Sequence, residues 1–342
     1  MSVNKDFFRT RDFNEDLQVV GPSPMGWPDA ERMPEAFVPT HCAFCGVQCG
    51  MHLRVAGGKV IGVEARDFPH NQGKLCPKGV VAYQQVDHPD RLTYPMMRKH
   101  GKGSPLERCT WDEALDYIVL RWRQLQAEHG RDAVAVYSGS SMTNEKCYLM
   151  GKFARVGLRT RHVDYNGRLC MSSAAYAYAQ AFGIDRSPMP MPDYALARCI
   201  LAVGTNVAEC FPIVMHWLWQ ARDNGAKLIV VDPRETPIAR TADLWLPVRP
   251  GTDIALLNCM LRQIIHEGLV DEAYVADRTT GWDTLRETVE TYTPERAEQI
   301  TGVPKERILA AARLYGRADP SLIMHARGIE HSTHGVNTCY AC

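Results

Sequence analysis

The sequence predicts an α/β protein in which a small β-rich domain with clustered cysteines precedes larger parallel-sheet domains. Cys42, Cys45 and Cys49 stand close together in the chain, and Cys76 follows at a distance. Two alternating runs surround a Gly-Gly pair directly after the clustered three. Further along, apolar runs typical of buried strands alternate with helical segments, a pattern that favours a parallel sheet covered by helices.

The composition is that of an ordinary globular protein. The 342 residues include 39 basic and 39 acidic side chains, and 45% of the residues are hydrophobic. The balanced charge argues against nucleic acid or an anionic membrane surface as a partner. No apolar run approaches the roughly 20 residues that a membrane span needs. The N-terminus shows neither a secretory signal peptide nor an Arg-Arg pair, which predicts a cytoplasmic protein without membrane insertion.

Three regions are predicted along the chain. Residues 1–39 contain five prolines and scattered charge, and we expect an extended N-terminal segment. Residues 40–97 are expected to form the cysteine-bearing domain, and residues 98–342 the α/β region. The chain ends shortly after a predicted strand at 322–325, where the βα pattern calls for another helix, so we expect a polypeptide truncated at the C-terminus.

The first predicted element pair is a β-hairpin beside the cysteines. The runs 51–55 and 59–66 alternate between apolar and polar residues on either side of Gly57 and Gly58. Alternation around a Gly-Gly turn is typical of two antiparallel strands. The cysteines are therefore expected in a small β-rich unit.

A long helix and a strand are predicted to open the α/β region. Thr110 and Glu113 have the spacing of a capping box ahead of apolar residues at helical intervals, so we expect a helix over 111–128. The run 132–137 predicts a buried strand, and the serine-rich run 138–141 predicts the loop after it.

The clearest βαβ unit lies in the second half of the chain. An apolar strand, a Gly-Thr-Asn turn, a helix and a second apolar strand follow one another there, which predicts a Rossmann-like parallel sheet. A further short strand and a helix continue the alternation. The predicted elements are strands at 199–203, 227–231 and 244–248, and helices at 207–224 and 253–267.

The spacing of the cysteines predicts a metal centre. Three clustered thiolates and one distant thiolate can hold an iron–sulfur cube. Gly46 and Gly50 permit positive φ angles, which we expect to turn successive sulfurs toward one point. A structural zinc site is the alternative, although zinc ribbons usually pair two short Cys-x2-Cys knuckles and here the second half offers only Cys76. The other eight cysteines are scattered, so we expect reduced core thiols rather than disulfides.

Cys170 is a second candidate metal ligand. It follows an Asn166-Gly167 turn and precedes a stretch rich in alanine and serine that predicts a helix. A thiol near a helix N-terminus is stabilised as the thiolate, which can bind a soft metal or act as a nucleophile. For an isolated cysteine, the commoner role is to fill a gap in the core.

Polar residues after two predicted strands favour a nucleotide site. The turn from Gly204 to Asn206 opens a helix whose first turn carries Glu209, and such a turn presents N–H groups to a phosphate. Asp232 follows the next strand, where a carboxylate can accept hydrogen bonds from ribose hydroxyls. The turn lacks the Gly-x-Gly-x-x-Gly pattern of NAD sites. The alternative role for Asp232 is to end the strand and cap the turn before Pro233.

Several other polar residues have ordinary explanations. Gly251 and Asp253 fit a helix cap, and Arg234 fits a surface charge. Lys78 is expected in solvent unless Cys76 ligates a cluster, in which case its ammonium lies near a redox centre. The C-terminal histidines lack the spacing of a metal site. They are His325, His331 and His334.

In their order along the chain, these motifs resemble the molybdopterin oxidoreductases, the family of nitrate reductases, formate dehydrogenases and dimethyl-sulfoxide reductases. The resemblance covers roughly residues 40–342, and the ordered co-occurrence of its motifs is more specific than any one of them. The motifs are the cysteine loop ending in Leu-Cys-Pro-Lys-Gly at 75–79, the Cys170 segment, Gly-Thr-Asn-Val-Ala-Glu at 204–209, Val-Asp-Pro-Arg-Glu-Thr at 231–236 and Pro-Gly-Thr-Asp at 250–253.

The resemblance implies two cofactors. One is a [4Fe-4S] cluster on Cys42, Cys45, Cys49 and Cys76. The other is a Mo-bis-molybdopterin guanine dinucleotide, with tungsten as the alternative metal and Cys170 as its protein ligand.

The resemblance also implies roles for other residues. Lys78 is expected to bridge the cluster and a pterin, and Met171 to shape the substrate pocket. Contacts to guanine, ribose, pyrophosphate and pterin are implied for Asn166, Gly204, Asn206, Glu209, Asp232, Arg234, Thr236, Gly251 and Asp253.

The residue after Cys170 bears on the reaction. Formate dehydrogenases typically place His after the cysteine or selenocysteine, whereas the Leu-Cys-Met-Ser-Ser run at 169–173 is similar to assimilatory and periplasmic nitrate reductases. The resemblance thus implies reduction of nitrate to nitrite by oxygen-atom transfer, with electrons passed through the cluster from a ferredoxin, a flavodoxin or a reductase subunit. Formate dehydrogenase is the alternative within the family, and a truncated, non-catalytic electron-transfer module is the alternative from another class.

Overall fold

A computed structural model describes residues 33–86 and 88–342 of the chain. The cysteine-bearing part begins with an antiparallel sheet in the order β1 (Ala36–His41), β2 (Gly50–Ala56) and β3 (Lys59–Ala65). The predicted hairpin is thus confirmed as β2 and β3. β1 is a correction, because residues 36–39 of the predicted extended segment pair with β2. The remainder of that prediction, residues 1–32, lies outside the described residues.

The other elements follow in chain order. Up to residue 170 they are α1 (Pro77–Val80), a 3₁₀ turn (Ala82–Gln85), β4 (Met96–Met97), β5 (Glu107–Arg108), α2 (Trp111–His129), a 3₁₀ turn (Arg131–Ala133), β6 (Val136–Ser138), α3 (Asn144–Lys152), a π-helical turn (Phe153–Gly157), β7 (Val163–Tyr165) and α4 (Gly167–Cys170). Up to residue 246 they are α5 (Ser172–Phe182), a 3₁₀ helix (Met191–Leu196), β8 (Cys199–Val203), α6 (Val207–Cys210), a 3₁₀ turn (Pro212–Val214), α7 (Met215–Asp223), β9 (Lys227–Val231), α8 (Pro237–Arg240) and β10 (Leu244–Leu246). The last are α9 (Asp253–His266), α10 (Glu272–Arg278), α11 (Trp282–Glu290), α12 (Pro294–Thr301), α13 (Lys305–Gly316), β11 (Ser321–His325), α14 (Arg327–Glu330) and α15 (Gly335–Ala341).

These elements form two compact units. Described residues up to Ala82 join residues 171–342 in one unit, and residues 83–170 form the other. The observed division therefore falls at residues 82 and 170, whereas the predicted one falls at residue 97. The predicted domain assignment stays a prediction.

The unit of residues 83–170 contains short strands and a long amphipathic helix. β4 pairs antiparallel with β5, and β6 pairs parallel with β7. The predicted capping box is present on α2, where the Glu113 carboxylate accepts a hydrogen bond from the Thr110 N–H at 2.7 Å. The predicted strand at 132–137 is mostly wrong, because a 3₁₀ turn occupies its first half and the strand itself is limited to β6.

The parallel sheet of the other unit has the order β10, β9, β8, β11. Alternate side chains of these strands point to opposite faces, so the sheet contributes to two cores. On one face, Ile200 and Leu228 pack in the same core as Cys42 and Cys76. On the other face, Leu201 and Ile229 pack with residues of α9 and α13. The cysteine-bearing sheet and the parallel sheet therefore share one hydrophobic core.

The segment after the Gly-Thr-Asn turn differs from the prediction. Instead of one helix over 207–224, the chain forms α6, a 3₁₀ turn that begins at Pro212, and α7. Proline lacks the N–H that a continuous helix needs and clashes with the preceding turn. The chain therefore breaks at residue 211 and turns back along the cysteine-bearing part.

The predicted fold class is confirmed. The described chain is a small β-rich cysteine domain followed by α/β structure with parallel sheets. Within residues 33–86 and 88–342, no helix is both long and apolar enough to cross a bilayer.

Candidate functional site

The cysteine loop between β1 and β2 is closed by its own backbone. The Cys42 N–H donates to the Cys49 carbonyl at 2.9 Å, and the Gln48 N–H donates to the Cys45 carbonyl at 3.2 Å. Gln48 adopts a φ of +50°, which is unusual for a residue with a side chain. The three clustered thiols are thus presented by one tight turn.

The glycines of this loop act differently from the prediction. Gly46 and Gly50 do not have positive φ; Gln48 between them does. Gly50 is needed for close approach, because a Cβ there would lie 2.7 Å from the Cβ of Phe68. This correction moves the conformational strain of the loop to Gln48.

A buried asparagine that the sequence analysis missed joins the loop to the fourth cysteine. Asn71 is fully buried, and its Oδ1 accepts from the Gly50 N–H at 2.8 Å. Its amide nitrogen donates to the carbonyls of Gly50, Arg66 and Lys74 at 3.0–3.2 Å. A single fully bonded side chain therefore fixes β2 against the segment that leads into Cys76.

All four cysteines line one small cavity. Cys42, Cys49 and Cys76 are buried, and Cys45 is half-buried. Burial, with the nearby charges of the other three, raises the pKa of the Cys49 thiol to about 12, and burial raises the pKa of Cys42 as well. Four thiols around one small space can supply the ligands of an iron–sulfur cube.

Lys78 extends from this cavity toward the parallel sheet. Its side chain lines the cavity, and its Nζ donates to the Cys210 carbonyl at 3.0 Å. Cys210 ends α6, the helix that follows the Gly-Thr-Asn turn. The ammonium thus connects the wall of the cysteine cavity to the helix that follows the predicted nucleotide-binding loop, and its bridging role stays a prediction.

Gly204 lies where the order of the parallel sheet reverses. β8 lies between β9 on one side and β11 on the other. Ligands of open α/β sheets bind at such a switch point. Gly204 has a φ of +56°, and a Cβ on it would lie 2.9 Å from the Ile329 nitrogen. Its carbonyl accepts from the Gly328 N–H at 3.0 Å. The two loops meet here through backbone alone, a feature that only glycine permits.

Asn206 carries an unsatisfied acceptor at this edge. Its amide nitrogen donates to the Glu209 carboxylate at 2.6 Å, while its Oδ1 is buried without a hydrogen-bond partner among the described residues. Buried polar atoms are almost always satisfied, and a ligand donor is a common reason for an exception. Asn206 is therefore suited to hold a polar ligand, with Glu209 exposed beside it.

The residues after β9 are arranged as a turn and a helix cap. Asp232 is buried, and its carboxylate accepts from the Arg234 N–H at 2.8 Å. Thr236 caps α8 by accepting from the Ala239 N–H at 3.4 Å, whereas the Arg234 side chain is exposed. Asp232 therefore has the turn-capping role that the sequence offered as its alternative.

Asp253 lies close to Asp232 at the start of α9. Burial raises the pKa of Asp253, and the charge of Asp232 raises it further. Thr252 bonds back to the Arg249 carbonyl and leaves the N–H groups of the first helical turn without a side-chain cap. Gly251 supplies the positive φ of +81° before it. A 14-residue helix thus directs its N-terminus toward this edge, a geometry that suits an anion.

Asn166 and Cys170 belong to the unit of residues 83–170. Asn166 follows β7, and its Oδ1 accepts from the Ser140 N–H at 2.9 Å. Cys170 is half-buried at the end of α4, and Met171 precedes α5. The predicted placement before a helix is confirmed, since the 11-residue α5 begins at Ser172.

The remaining cysteine and histidine predictions are partly corrected. Cys147 and Cys210 are exposed rather than buried, and none of the twelve cysteines, all within the described ranges, forms a disulfide. His331 and His334 are exposed, whereas His325 is largely buried at the end of β11. The expectation that the three histidines form no metal site stays a prediction.

Comparison with known proteins decides the family. Residues 35–88 match the description "Molybdopterin oxidoreductase Fe4S4 domain", and residues 91–342 match "Molybdopterin oxidoreductase". The chain belongs to the molybdopterin oxidoreductase family. Its cofactors are therefore a [4Fe-4S] cluster and a bis-molybdopterin cofactor with molybdenum or tungsten.

Individual relatives have different activities. The chain is 42% identical over 301 residues to the assimilatory nitrate reductase catalytic subunit of Bacillus subtilis, covering 87% of this chain and 42% of that protein. It is 39% identical over 305 residues to the F420-dependent formate dehydrogenase subunit alpha of Methanocaldococcus jannaschii, covering 89% and 44%. The chain thus spans less than half the length of the curated relatives it matches.

A solved structure with the same fold has a third activity. Acetylene hydratase from Pelobacter acetylenicus superimposes with a TM-score of 0.77 at 27% identity, covering 89% of this chain and 42% of that one. A shared fold therefore establishes the cofactor scaffold but does not by itself establish the reaction.

Proposed function

We propose that the protein is a nitrate reductase of the molybdopterin oxidoreductase family. The observation that carries the proposal is Met171, which stands after Cys170 where formate dehydrogenases typically have His. The 42% identity to the Bacillus subtilis nitrate reductase subunit supports it. The reaction consumes nitrate, two electrons and two protons, and it yields nitrite and water.

The cysteine cavity is proposed to hold the iron–sulfur cluster. Cys42, Cys45, Cys49 and Cys76 supply the thiolates, and Asn71 keeps the loop and the fourth ligand in register. Lys78 lies between this cavity and α6, where its positive charge would stand beside a bound cluster. Its carbonyl partner, Cys210, fixes the direction of the ammonium.

The edge of the parallel sheet is proposed to hold a molybdopterin guanine dinucleotide. Gly204 would let the ligand approach the backbone, Asn206 Oδ1 would accept a hydrogen bond from it, and the N-terminus of α9 would offer N–H groups to its phosphates. Glu209, Asp232, Arg234, Thr236 and Gly251 border the same edge through the turns described above. When bound, this cofactor supplies two-electron oxygen-atom transfer chemistry at its metal. In the other unit, we assign Cys170 as the metal ligand and Asn166 to a pterin contact. We assign Met171, the first residue of the segment that returns to the parallel-sheet unit, to the substrate pocket.

Formate oxidation is the second candidate function. The 39% identity to the Methanocaldococcus jannaschii formate dehydrogenase subunit favours it. A non-catalytic electron-transfer module is the candidate from another class, and it predicts iron without molybdenum or tungsten. The cytoplasmic location and a ferredoxin, flavodoxin or reductase-subunit electron donor stay predictions.

The experiment is a substrate assay with viologen dyes on the holoenzyme that contains this chain. Reduced viologen and nitrate should give nitrite, and oxidised viologen should not be reduced by formate. Formate oxidation without nitrate reduction would overturn the first proposal in favour of the second. Metal analysis of the same preparation distinguishes the electron-transfer module, which lacks molybdenum and tungsten.

A further inference from the structure

Three neighbouring side chains form a largely buried row that none of the assigned sites uses. The Tyr178 hydroxyl lies 2.8 Å from His325 Nε2. His325 Nδ1 lies 3.5 Å from a carboxylate oxygen of Glu330, and the other oxygen of Glu330 accepts from Arg327. The His325 and Glu330 side chains are only 9% and 3% exposed. A tyrosine, a histidine and a carboxylate are thus aligned through both nitrogens of one imidazole.

The imidazole itself indicates that this row is not fully satisfied. His325 Nδ1 is buried and makes no hydrogen bond among the described residues, although the carboxylate of Glu330 lies nearby. A buried ion cluster contributes little to stability, so a functional reason is the better explanation for it. With the Tyr178 hydroxyl donating to Nε2, the neutral ring carries its proton on Nδ1, toward Glu330.

The two ends of the row lie in different environments. Tyr178 and His325 line a cavity of about 800 Å³ that also reaches Gly46 and Val47 in the cysteine loop. Such a cavity is large enough for many water molecules. Glu330 directly follows Ile329, whose backbone nitrogen lies beside Gly204 at the proposed dinucleotide edge. The row therefore leads from a solvent-sized cavity to the residue next to this edge.

We propose that Tyr178, His325 and Glu330 form a proton relay between this cavity and the cofactor edge. The Tyr178 oxygen takes up a proton from cavity water and at the same time gives its hydroxyl proton to His325 Nε2. The Nδ1 proton then passes to the Glu330 carboxylate, so one proton crosses the row and no electrons move. The inference rests on the proposed function, whose reaction consumes two protons. These residues are positioning and relay residues; none is assigned a contact with substrate.

Other charged or titratable groups face the row from every neighbouring helix. Arg327 pairs with Glu330 from α14, and Cys339 and Cys342 act on Tyr178 from α15 and the residue that follows it. Burial, together with these thiols, raises the pKa of Tyr178 to about 12. Asp253 acts on Cys342 from α9, and Tyr194 acts on Tyr178 from the 3₁₀ helix at Met191–Leu196. A hydroxyl held this firmly in its protonated form passes protons by exchange rather than by ionising.

The kinetic test compares conservative variants of the holoenzyme in nitrate reduction. Tyr178→Phe and Glu330→Gln should each lower kcat about 100-fold, a typical contribution of a positioned proton-transfer group, with KM little changed. Their solvent deuterium isotope effects should rise. Tyr194→Phe is the matched control, since Tyr194 lines the same cavity outside the row and should keep its rate within about twofold.

A rescue experiment separates proton transfer from packing. His325→Gly leaves a gap next to the cavity, and added imidazole should restore activity, whereas pyrazole, similar in shape but weakly basic, should not. Equal restoration by both compounds, or unchanged kcat in Tyr178→Phe, would overturn the relay.

A spectroscopic readout does not depend on turnover. In ¹⁵N-histidine-labelled protein, the resonance of His325 should show a proton on Nδ1. A bare Nδ1 would overturn the relay even in an active enzyme. Loss of nitrate turnover with every preparation, together with a protonated Nδ1, would instead overturn the nitrate reductase proposal and leave the geometry of the row intact.

Discussion

Substituting Gly204 tests the backbone contact on which the dinucleotide edge is built. An alanine there must keep a φ of +56° and place its Cβ 2.9–3.0 Å from the backbone of Gly328 and Ile329. The left-handed conformation costs an alanine about 1–2 kcal/mol. Forcing an extra carbon against backbone costs about a further 1–3 kcal/mol. The unfolding free energy of Gly204→Ala should therefore fall by about 2–5 kcal/mol.

Gly268→Ala is the matched control for this substitution. Gly268 has nearly the same φ, +63°, but no atom lies within 4 Å of its added Cβ. It should lose only the conformational cost of about 1–2 kcal/mol. Urea unfolding gives the loss in unfolding free energy for each variant, and the difference between the two losses is the cost of the close backbone contact at Gly204. Equal losses would refute the close packing of the β8 and β11 loops.

Three further predictions concern other residues of the same unit. Lys78→Gln removes a positive charge from the wall of the cysteine cavity. At roughly 8 Å from a cluster and an effective dielectric of about 20, the interaction of this charge with one electron on the cluster is worth about 2 kcal/mol. Redox titration should therefore show a cluster potential lower by about 90 mV. Lys59→Gln, at the opposite end of β2 and β3, should leave the potential unchanged. Trp217→Phe removes the hydrogen bond from Nε1 to the His70 carbonyl and part of a buried ring, and urea unfolding should show a loss of about 1–3 kcal/mol. Because the pKa of Asp253 is raised in the folded state, the protonated carboxyl group favours the folded protein. This contribution to the unfolding free energy is present in acid and is lost as the pH rises through the raised pKa. Asp253→Asn should therefore be more stable than the parent protein near neutral pH, with a difference that disappears in acid. An unchanged pH dependence of the unfolding free energy would contradict this.

The elements that could be predicted from the sequence are those whose signals are local. The bounds of β8 and β9 match their apolar runs, and the capping box at Thr110 and Glu113 marks the start of α2. The single helix expected over 207–224 was wrong because Pro212, which cannot donate a backbone hydrogen bond, interrupts it. β1 was missed because it is held by pairing with β2, which lies further along the chain. The prolines in this part of the sequence favoured an extended segment over a strand.

The candidate site shows the same division. The spacing of the four cysteines indicated one metal centre, and in the structure the quartet and Lys78 line the same cavity. Their roles stay predictions. Asn71 could not be predicted, since its role depends on four backbone groups that come together only in the fold. His325 and Glu330 are separated from Tyr178 by about 150 positions, so no local pattern connects them.

Metal and sulfide analysis of the purified holoenzyme tests the central assignment most directly. We expect about four iron and four sulfide per chain together with one molybdenum or tungsten. In Cys76→Ser the iron should be lost, whereas Cys109→Ser, which replaces a buried cysteine outside the quartet, should retain it. One zinc per chain in place of iron, or full iron content in Cys76→Ser, would contradict the account.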